Sequence, residues 1–412
     1  MTLHMNRPGL LCAALLLAGA ATAGDALAAT TRAASELKVS VDFPGGAADV
    51  ARIDQEGRRI RFEIPTKAGW RAWWSLKVSG IVPGETIRLE LAGRTQASAA
   101  RAVYSTDGQT WRYTSAHSEK PAAGGTLYVQ KIDAAEAHFA WYVPFVLADA
   151  QACVDRAARA LAGARPFELC KSEDGLPVVG VRIAEPGGDE ASRYGVWIHA
   201  RQHAWEVGGS WTAAGLIDWL VGDDPRAKAL RSKATITVLP IIDVDNVQKG
   251  AGGKDQKPHD HNRDWLDKPR WKAVQAAMGE LAKMKDAGRL DFFLDLHDPG
   301  WSGPGLDFWC HGVSQLPAHK KRNAEAFMAA LKADVLDPWK AVGPTSKYAL
   351  TTPTSGLWVR AHSHDWTVSG TIEVAVAPPR GFADPPPAHH LLAGKYIGLA
   401  IERHLRADVR KP

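Results

Sequence analysis

The spacing of hydrophobic residues changes at about residue 148. From residue 36 to 148, hydrophobic and polar positions alternate in short runs, such as 59–64 and 86–91, which Gly and Pro turn signals separate. Similar runs predict strands over 74–78, 126–129 and 138–142, and a hairpin turn over 105–111. Alternation of this kind is typical of strands with one buried face, so this half is predicted to form an antiparallel β-sandwich.

Beyond residue 148, short apolar runs alternate with longer helical patterns. The pattern predicts strands over 195–199, 234–242, 291–297 and 370–376, and helices over 208–221, 271–285 and 324–333. Strands that alternate with helices indicate a mixed, mostly parallel sheet covered by helices. We therefore predict a β-sandwich domain over 36–148 and an α/β domain over 149–408.

The amino terminus has the pattern of a secretory signal peptide. It combines a basic start, an apolar run over 10–21 and the small-residue sequence 26–28, so a signal peptide is predicted over 1–28, cleaved at Ala28 or alternatively at Ala23. The apolar run is shorter than the roughly 20 residues that span a bilayer. The protein is therefore expected in the periplasm or secreted, without stable membrane insertion after cleavage.

Composition and charge exclude some partners. The 412 residues are 45% hydrophobic and 23% charged, as in folded globular proteins. The formal net charge of +5 is small and dispersed, which argues against nucleic acid as a partner. The sequence leaves the oligomeric state open.

Export changes the interpretation of the cysteines. Cys153, Cys170 and Cys310 would remain in an oxidising compartment, where disulfides persist. We expect Cys153 and Cys170 to be the favoured pair, because they flank a predicted helix within one short segment. Cys310 lies far along the chain in an apolar run and is expected to be a buried free thiol.

Two motifs have the residue types and spacing of metal ligands. His203 and Glu206 lie three residues apart just beyond a predicted strand, and His297 ends another strand before Pro-Gly. Parallel strands end at one edge of a sheet, so the three side chains could face one cleft. Two imidazoles and a carboxylate leave an open position, as catalytic zinc requires. Taken singly, each motif is also typical of a hydrogen-bonded pair or a core histidine.

Two further motifs complete a family resemblance. Asp-x-Asn-Arg-x-Trp occupies 260–265 and Thr-x-Glu occupies 371–373, and together with the ligand motifs, in this order, they resemble the zinc metallocarboxypeptidases. The amino-terminal half carries runs at 43–46, 73–80, 104–111 and 139–145 that resemble the β-sandwich preceding the catalytic domain in the cytosolic-carboxypeptidase-like branch.

The resemblance assigns expected roles to the matching residues. One zinc ion would be held by His203, Glu206 and His297. Asp260 would accept a hydrogen bond from the first ligand histidine and orient it. Glu373 would act as general base and later as acid, and its place in an otherwise apolar strand suits a carboxyl group whose pKa is raised by burial.

Substrate binding is implied by the Asn262-Arg263 pair. In the family this pair grips the terminal carboxylate, a task that suits a planar guanidinium with parallel N–H donors. The expected partner is therefore a peptide with a free C-terminal carboxylate.

This sequence departs from the family pattern at two places. No arginine occurs over 249–260 to stabilise the oxyanion, and Lys254 is the candidate cation in its place. The Gly-Arg that selects acidic side chains appears here as Gly356-Leu357, with Arg360 out of register. A pocket tyrosine is not evident over 351–364.

The sequence therefore predicts a zinc metallocarboxypeptidase that uses metal-activated water. One alternative is a hydrolase of cell-wall peptides or other amides at the same site. Another is a non-catalytic protein of this fold that binds carboxylates, which the presence of Glu373 beside three metal ligands argues against.

Overall fold

The computed structural model describes residues 35–93, 95–98, 101–115, 124–298, 300, 305–345, 348–376 and 385–411. The predicted signal peptide lies outside these residues. Among the described helices, none has both the length and the apolar character needed to cross a bilayer.

The amino-terminal half forms two sheets. Their strands are β1 (Lys38–Ser40), β2 (Asp49–Asp54), β3 (Arg59–Glu63), β4 (Ser75–Ser79), β5 (Glu85–Leu91), β6 (Val103–Ser105), β7 (Arg112–Tyr113), β8 (Thr126–Ile132) and β9 (Glu136–Ala140). One sheet has the order β1-β4-β9-β6-β7 and is antiparallel throughout, and the other has the order β2-β3-β5-β8. The predicted hairpin turn joins β6 to β7.

Aromatic side chains pack the two sheets together. The ring of Trp74, next to β4, lies 5.1 Å from Phe62 of β3 and 5.5 Å from Tyr128 of β8. The alternation in β3 explains this packing, because Ile60 and Phe62 are buried while their neighbours face outward. The sandwich is therefore as predicted, except that β3 and β5 run parallel. The alternation of apolar and polar residues shows which face of a strand is buried, but not whether the strand runs parallel or antiparallel to its neighbour.

The second half forms one eight-stranded sheet with helices. Its strands are β10 (Ala164–Lys171), β11 (Pro177–Ile183), β12 (Tyr194–Ala200), β13 (Ala234–Leu239), β14 (Phe292–His297), β15 (Gly305–Trp309), β16 (Lys340–Thr345) and β17 (Val368–Val374). The order is β10-β11-β13-β12-β14-β17-β15-β16. The central strands β13, β12, β14 and β17 are parallel, so the prediction of a mixed, mostly parallel sheet is confirmed.

The helices are α1 (Leu147–Ala160), α2 (Val207–Val221), α3 (Pro225–Lys233), α4 (Val244–Lys249), α5 (Lys272–Asp286), α6 (Ala318–Asp334), α7 (Ser355–His362) and α8 (Ala388–His404). Helix α6 begins six residues before its predicted start at 324, since its first turns are polar. Lys320 and Asn323 are nevertheless buried there, and they donate to the carbonyls of Arg360 and Trp366.

Helix α2 is buried on nearly all sides, because it lies between the sheet and α8. The two helices are in close contact at Gly215 of α2 and Gly394 of α8. A Cβ atom added at Gly215 would lie 2.2 Å from the carbonyl oxygen of Leu391, and a Cβ atom added at Gly394 would lie 2.2 Å from the carbonyl oxygen of Thr212. Only glycine allows this approach. The start of α2, and with it Glu206, is held firmly in the core.

The predicted Cys153–Cys170 disulfide is wrong. All three cysteines in the described residues are free thiols. Cys153 lies inside α1, where its thiol faces Arg156 and Asp218, whereas Cys170 lies in β10 among other charged groups. The two thiols therefore have different surroundings. Burial raises the pKa of Cys153 to about 12, and Cys310 is the buried free thiol that we predicted.

Candidate active site

The carboxyl ends of three neighbouring parallel strands bring the predicted residues together. Strand β12 ends at Ala200, just before the His203–Glu206 turn, and β14 ends at His297. Glu373 lies in β17 as the register partner of His297. The sheet topology therefore places all four functional residues at one edge.

The turn between β12 and α2 is shaped by Arg201, a residue that sequence reasoning missed. Its backbone lies in the left-handed region with φ of 65°, which turns the chain sharply at the strand end. Its buried guanidinium donates to the Ala204 carbonyl at 2.7 Å and to Ser210 Oγ at 3.1 Å. In the sequence, the feature that could have indicated this role is a basic residue directly after an apolar strand.

The three predicted metal ligands converge. One donor atom from each of His203, Glu206 and His297 lies within 4.8 Å of the others, and each residue is only about 2% exposed. Glu206 Oε1 lies 2.9 Å from His203 Nδ1, and Glu206 Oε2 lies 2.6 Å from His297 Nδ1. Two imidazoles and a carboxylate, buried and facing one another, are a donor set that zinc accepts.

Nearby positive charge keeps the Glu206 carboxylate ionised. Burial alone would raise its pKa, but His203, Lys254 and His297 outweigh burial and hold the pKa of Glu206 well below its ordinary value. An ionised carboxylate is the form that binds a metal ion.

Each histidine ligand has an acidic partner on its other ring nitrogen. Asp260 Oδ1 lies 3.4 Å from His203 Nε2. Asp295 Oδ2 lies 2.7 Å from His297 Nε2 and accepts from Ser355 Oγ at 2.6 Å. Asp295 was missed, although it lies two residues before His297 and therefore on the same face of β14.

Glu373 faces the ligands from the adjacent strand. Its Oε2 is buried and accepts no hydrogen bond within the described part of the chain. Burial raises the pKa of Glu373 to about 7, with Glu206 adding to the effect and His297 and Lys254 opposing it. A carboxyl group with this pKa can both accept and release a proton near neutral pH.

Lys254 lies beside the ligand atoms. Its ammonium nitrogen is 3.1 Å from Glu206 Oε1 and 3.4 Å from His203 Nδ1. Glu206 and Glu373 raise the pKa of Lys254 against the effect of burial, so the side chain stays positively charged. The structure thus places a positively charged lysine beside the candidate metal ligands.

Asn262 and Arg263 lie at the same cleft. Asn262 is buried, with its Nδ2 3.1 Å from His297 Nε2 and its Oδ1 accepting from the Ser355 amide at 3.0 Å. The Arg263 guanidinium stacks 5.0 Å from the ring of Tyr348 and donates to the Asn262 carbonyl at 2.9 Å. Within the described residues this is the hydrogen bond that Arg263 donates, and a guanidinium group has five N–H donors.

The cleft is lined by His203, Lys254, Asn262, Arg263, His297, Trp309, His311, Tyr348, Thr354, Thr371 and Glu373. Tyr348 was not predicted to line the cleft, because it lies three residues before 351–364, where the family pattern has a pocket tyrosine. Burial, reinforced by Arg263, lowers the pKa of His311 to about 4, so its ring is neutral at pH 7.

Leu357 and Arg360, considered for substrate selection, lie on α7 and are not among the described lining residues. Arg360 instead donates to the Gln315 carbonyl at 3.3 Å. Arg360 is therefore engaged away from the cleft.

This arrangement of sheet, cleft and ligands defines the class of protein. The structure is similar to a metallo-carboxypeptidase from Burkholderia cenocepacia, with a TM-score of 0.77 and 20% identity over 90% of this chain and 99% of the other. The chain has the metallocarboxypeptidase fold.

Sequence comparison finds similar proteins over parts of the chain. Residues 155–284 match the family described as zinc carboxypeptidase. The chain is 25% identical to an uncharacterized protein of Zymomonas mobilis over 273 residues, or 63% of this chain and 67% of that protein. It is 29% identical to mouse cytosolic carboxypeptidase 6 over 106 residues, which are 25% of this chain and 20% of that enzyme. Residues 155–284 are thus similar to the zinc carboxypeptidase family, and about a quarter of the chain is similar to part of a cytosolic carboxypeptidase.

Proposed function

We propose that this protein is a zinc-dependent carboxypeptidase that removes C-terminal residues from peptides by attack of water on the last peptide bond. The observation that carries this proposal is the convergence of His203, Glu206 and His297 beside Glu373. A protein that only bound carboxylates would not need a proton acceptor next to the ligand set.

His203, Glu206 and His297 would hold the metal. When bound, zinc supplies a Lewis acid that lowers the pKa of water and polarises a carbonyl oxygen. Asp260 and Asp295 hold the two imidazole rings in orientation, which fixes where their Nδ1 atoms point.

Glu373 would move the proton. As the oxygen of water forms a bond to the carbonyl carbon, a proton passes from the water to the Glu373 carboxylate. The same proton then passes to the nitrogen of the leaving amine as the carbon–nitrogen bond breaks. The raised pKa of Glu373 supports both steps, because the group is then neither too weak a base nor too weak an acid.

Lys254 and Arg263 would provide positive charge at two different points. The Lys254 ammonium lies at the ligand cluster, where it can stabilise negative charge that develops on the carbonyl oxygen. Arg263 and Asn262 would bind the terminal carboxylate, which restricts cleavage to the last residue. The distribution of charge favours an exopeptidase.

A peptide panel tests the proposal. Purified protein would be analysed for zinc by mass spectrometry and given peptides with free or amidated C termini. We expect about one zinc per chain and release of single C-terminal residues from the free peptides only.

Two variants serve as the controls. Glu373→Gln should retain zinc and lose hydrolysis by about 10²-fold or more. Glu280→Gln should retain the hydrolysis of the parent, because Glu280 pairs with Arg182 and Lys283 and does not line the cleft. Zinc binding without hydrolysis that depends on Glu373 would contradict the proposal.

We also propose that the protein is exported, on the basis of the signal-peptide pattern over 1–28. Cell fractionation and amino-terminal sequencing should find a mature chain beginning after Ala28 or Ala23. Full-length protein confined to the cytoplasm would contradict export.

A further inference from the structure

The loop that carries Lys254 is paired with the amino-terminal half of the chain. We call residues 250–260 the Lys254 loop. The Trp70 amide donates to the Lys254 carbonyl at 2.8 Å, and the Gly253 amide donates to the Ala68 carbonyl at 2.9 Å. A Cβ at Gly69 would lie 2.3 Å from the Lys254 carbonyl oxygen, so the two backbones are in direct contact.

The side chain of Trp70 makes two more contacts with this loop. Its indole Nε1 donates to Asp255 Oδ2 at 2.6 Å. The Lys254 ammonium lies over its ring, 5.3 Å from the centroid, where the face of an aromatic ring attracts a cation. Trp70 therefore holds two consecutive loop residues by its backbone, its N–H and its ring.

Both loop residues lead directly to the ligand cluster. Lys254 Nζ lies 3.1 Å from Glu206 Oε1. The Asp255 amide donates to Asp260 Oδ2 at 2.9 Å, and Asp260 contacts the ligand His203. Trp70 is thus one contact away from the cation and two contacts away from the acid that orients a ligand.

Trp205, one of the two residues between His203 and Glu206, also contacts both the Lys254 loop and the amino-terminal half. The Trp205 ring packs 6.1 Å from Trp70 and 5.4 Å from Trp141, both from the amino-terminal half. The Trp205 amide donates to the Gly252 carbonyl at 3.0 Å. The Lys254 loop and the ligand turn therefore share one aromatic support.

We propose that Trp70 is a positioning residue for the reaction, acting through Lys254, so that the β-sandwich half completes the active site of the other half. This inference rests on the proposed function. Lysine has a flexible four-carbon stem, and an ammonium group stabilises developing charge well only when it is held in place. Trp70 supplies that restraint from outside the catalytic sheet.

Steady-state kinetics of Trp70→Leu, compared with Trp73→Phe, test the inference. Trp73 is a matched control, because its indole donates to the Gly45 carbonyl at 2.8 Å and packs on Trp141 without touching Lys254. We expect Trp70→Leu to lower kcat by about tenfold or more, with KM changed by less than about threefold and zinc content unchanged. Trp73→Phe should match the parent. An equal loss of kcat in both variants, or loss of zinc, would overturn the proposal.

A double variant separates positioning from general structural damage. In a Lys254→Gln background, Trp70→Leu should cause no further loss of kcat, because its effect passes through the missing ammonium. If the double variant instead shows the product of the two single losses of kcat, Trp70 does not act through Lys254.

Chemical labelling of Lys254 tests the same inference without measuring turnover. Reaction with an amine-selective ester, followed by peptide mass spectrometry, should label Lys254 several-fold faster in Trp70→Leu than in the parent or in Trp73→Phe. Equal labelling rates would overturn the proposal. If the parent hydrolyses no peptide, the proposed function fails, but labelling still decides whether Trp70 restrains Lys254.

Discussion

His297 and Glu373 are register partners on the adjacent parallel strands β14 and β17. The backbones of a candidate metal ligand and of the proposed proton acceptor therefore lie about 4.8 Å apart, the usual spacing of hydrogen-bonded strands. Neither residue depends on a loop for its position. The pairing of the two strands therefore sets the backbone separation between His297 and Glu373.

Replacing His297 should remove the metal. His297→Ala takes away one of three donors, and we expect zinc affinity to fall by more than about 100-fold. This loss is larger than the roughly 10- to 100-fold typical when a residue that contacts only a ligand is replaced. The zinc content of the variant after dialysis would measure the loss of affinity. Thermal melting of the metal-free forms would check that the variant folds. His311→Ala, which changes a cleft histidine outside the ligand set, should retain zinc. Unchanged zinc in His297→Ala would remove His297 from the site.

The activity should depend on pH through Glu373. A general base works when deprotonated, and burial raises the pKa of Glu373 to about 7. We therefore expect kcat/KM to fall as the pH drops below about 7, whereas a glutamate of ordinary pKa would remain active to about pH 4–5. The profile would be measured with an uncharged side chain at the substrate terminus and with zinc content checked at each pH. A flat profile down to pH 5 would contradict this assignment.

Lys254 should contribute charge to the transition state. Lys254→Gln removes the ammonium beside Glu206, and loss of one such group typically lowers kcat by about 10²–10³-fold. Lys254→Arg restores the charge and should recover part of that loss. Lys257→Gln, an exposed lysine of the same loop, is the matched control for kinetic measurements. If Lys254→Gln and Lys257→Gln have equal kcat values, Lys254 has no role in the reaction.

Arg263 should distinguish free from amidated C termini. Charged hydrogen bonds contribute about 1.5–3 kcal/mol, so Arg263→Gln should weaken binding of free peptides by about 10- to 100-fold. The affinity for free peptides would fall toward that for amidated peptides, measured as competitive inhibitors, so the ratio of the two affinities would approach one. Arg270→Gln, an exposed arginine that stacks on Trp271, should not change this ratio. If Arg263→Gln leaves the ratio of the affinities for free and amidated peptides unchanged, another group binds the terminal carboxylate.

Some features could be predicted from the sequence because they depend on local pattern. Apolar strands that stop at His297, or just before His203, are visible in the order of residues, and so is the acidic residue of β17. Since parallel strands end at one edge, the meeting of these side chains followed from strand order and handedness.

Other features could not be predicted because distant segments decide them. Tyr348 lines the cleft from a stretch without a regular pattern, and Asp295 accepts a hydrogen bond from Ser355, which lies 60 residues further along the chain. The Cys153–Cys170 disulfide was mispredicted because proximity in sequence does not determine which way two side chains point.

The sequence by itself determined the candidate ligand set and the two structural classes of the halves, because hydrophobic spacing and motif order are properties of the chain. Only the tertiary structure decided how the halves cooperate at one site. Trp70 lies 184 residues before Lys254 in the sequence, yet its ring, N–H and backbone all contact the Lys254 loop. Contacts of that kind arise from packing the two halves together, and no local pattern records them.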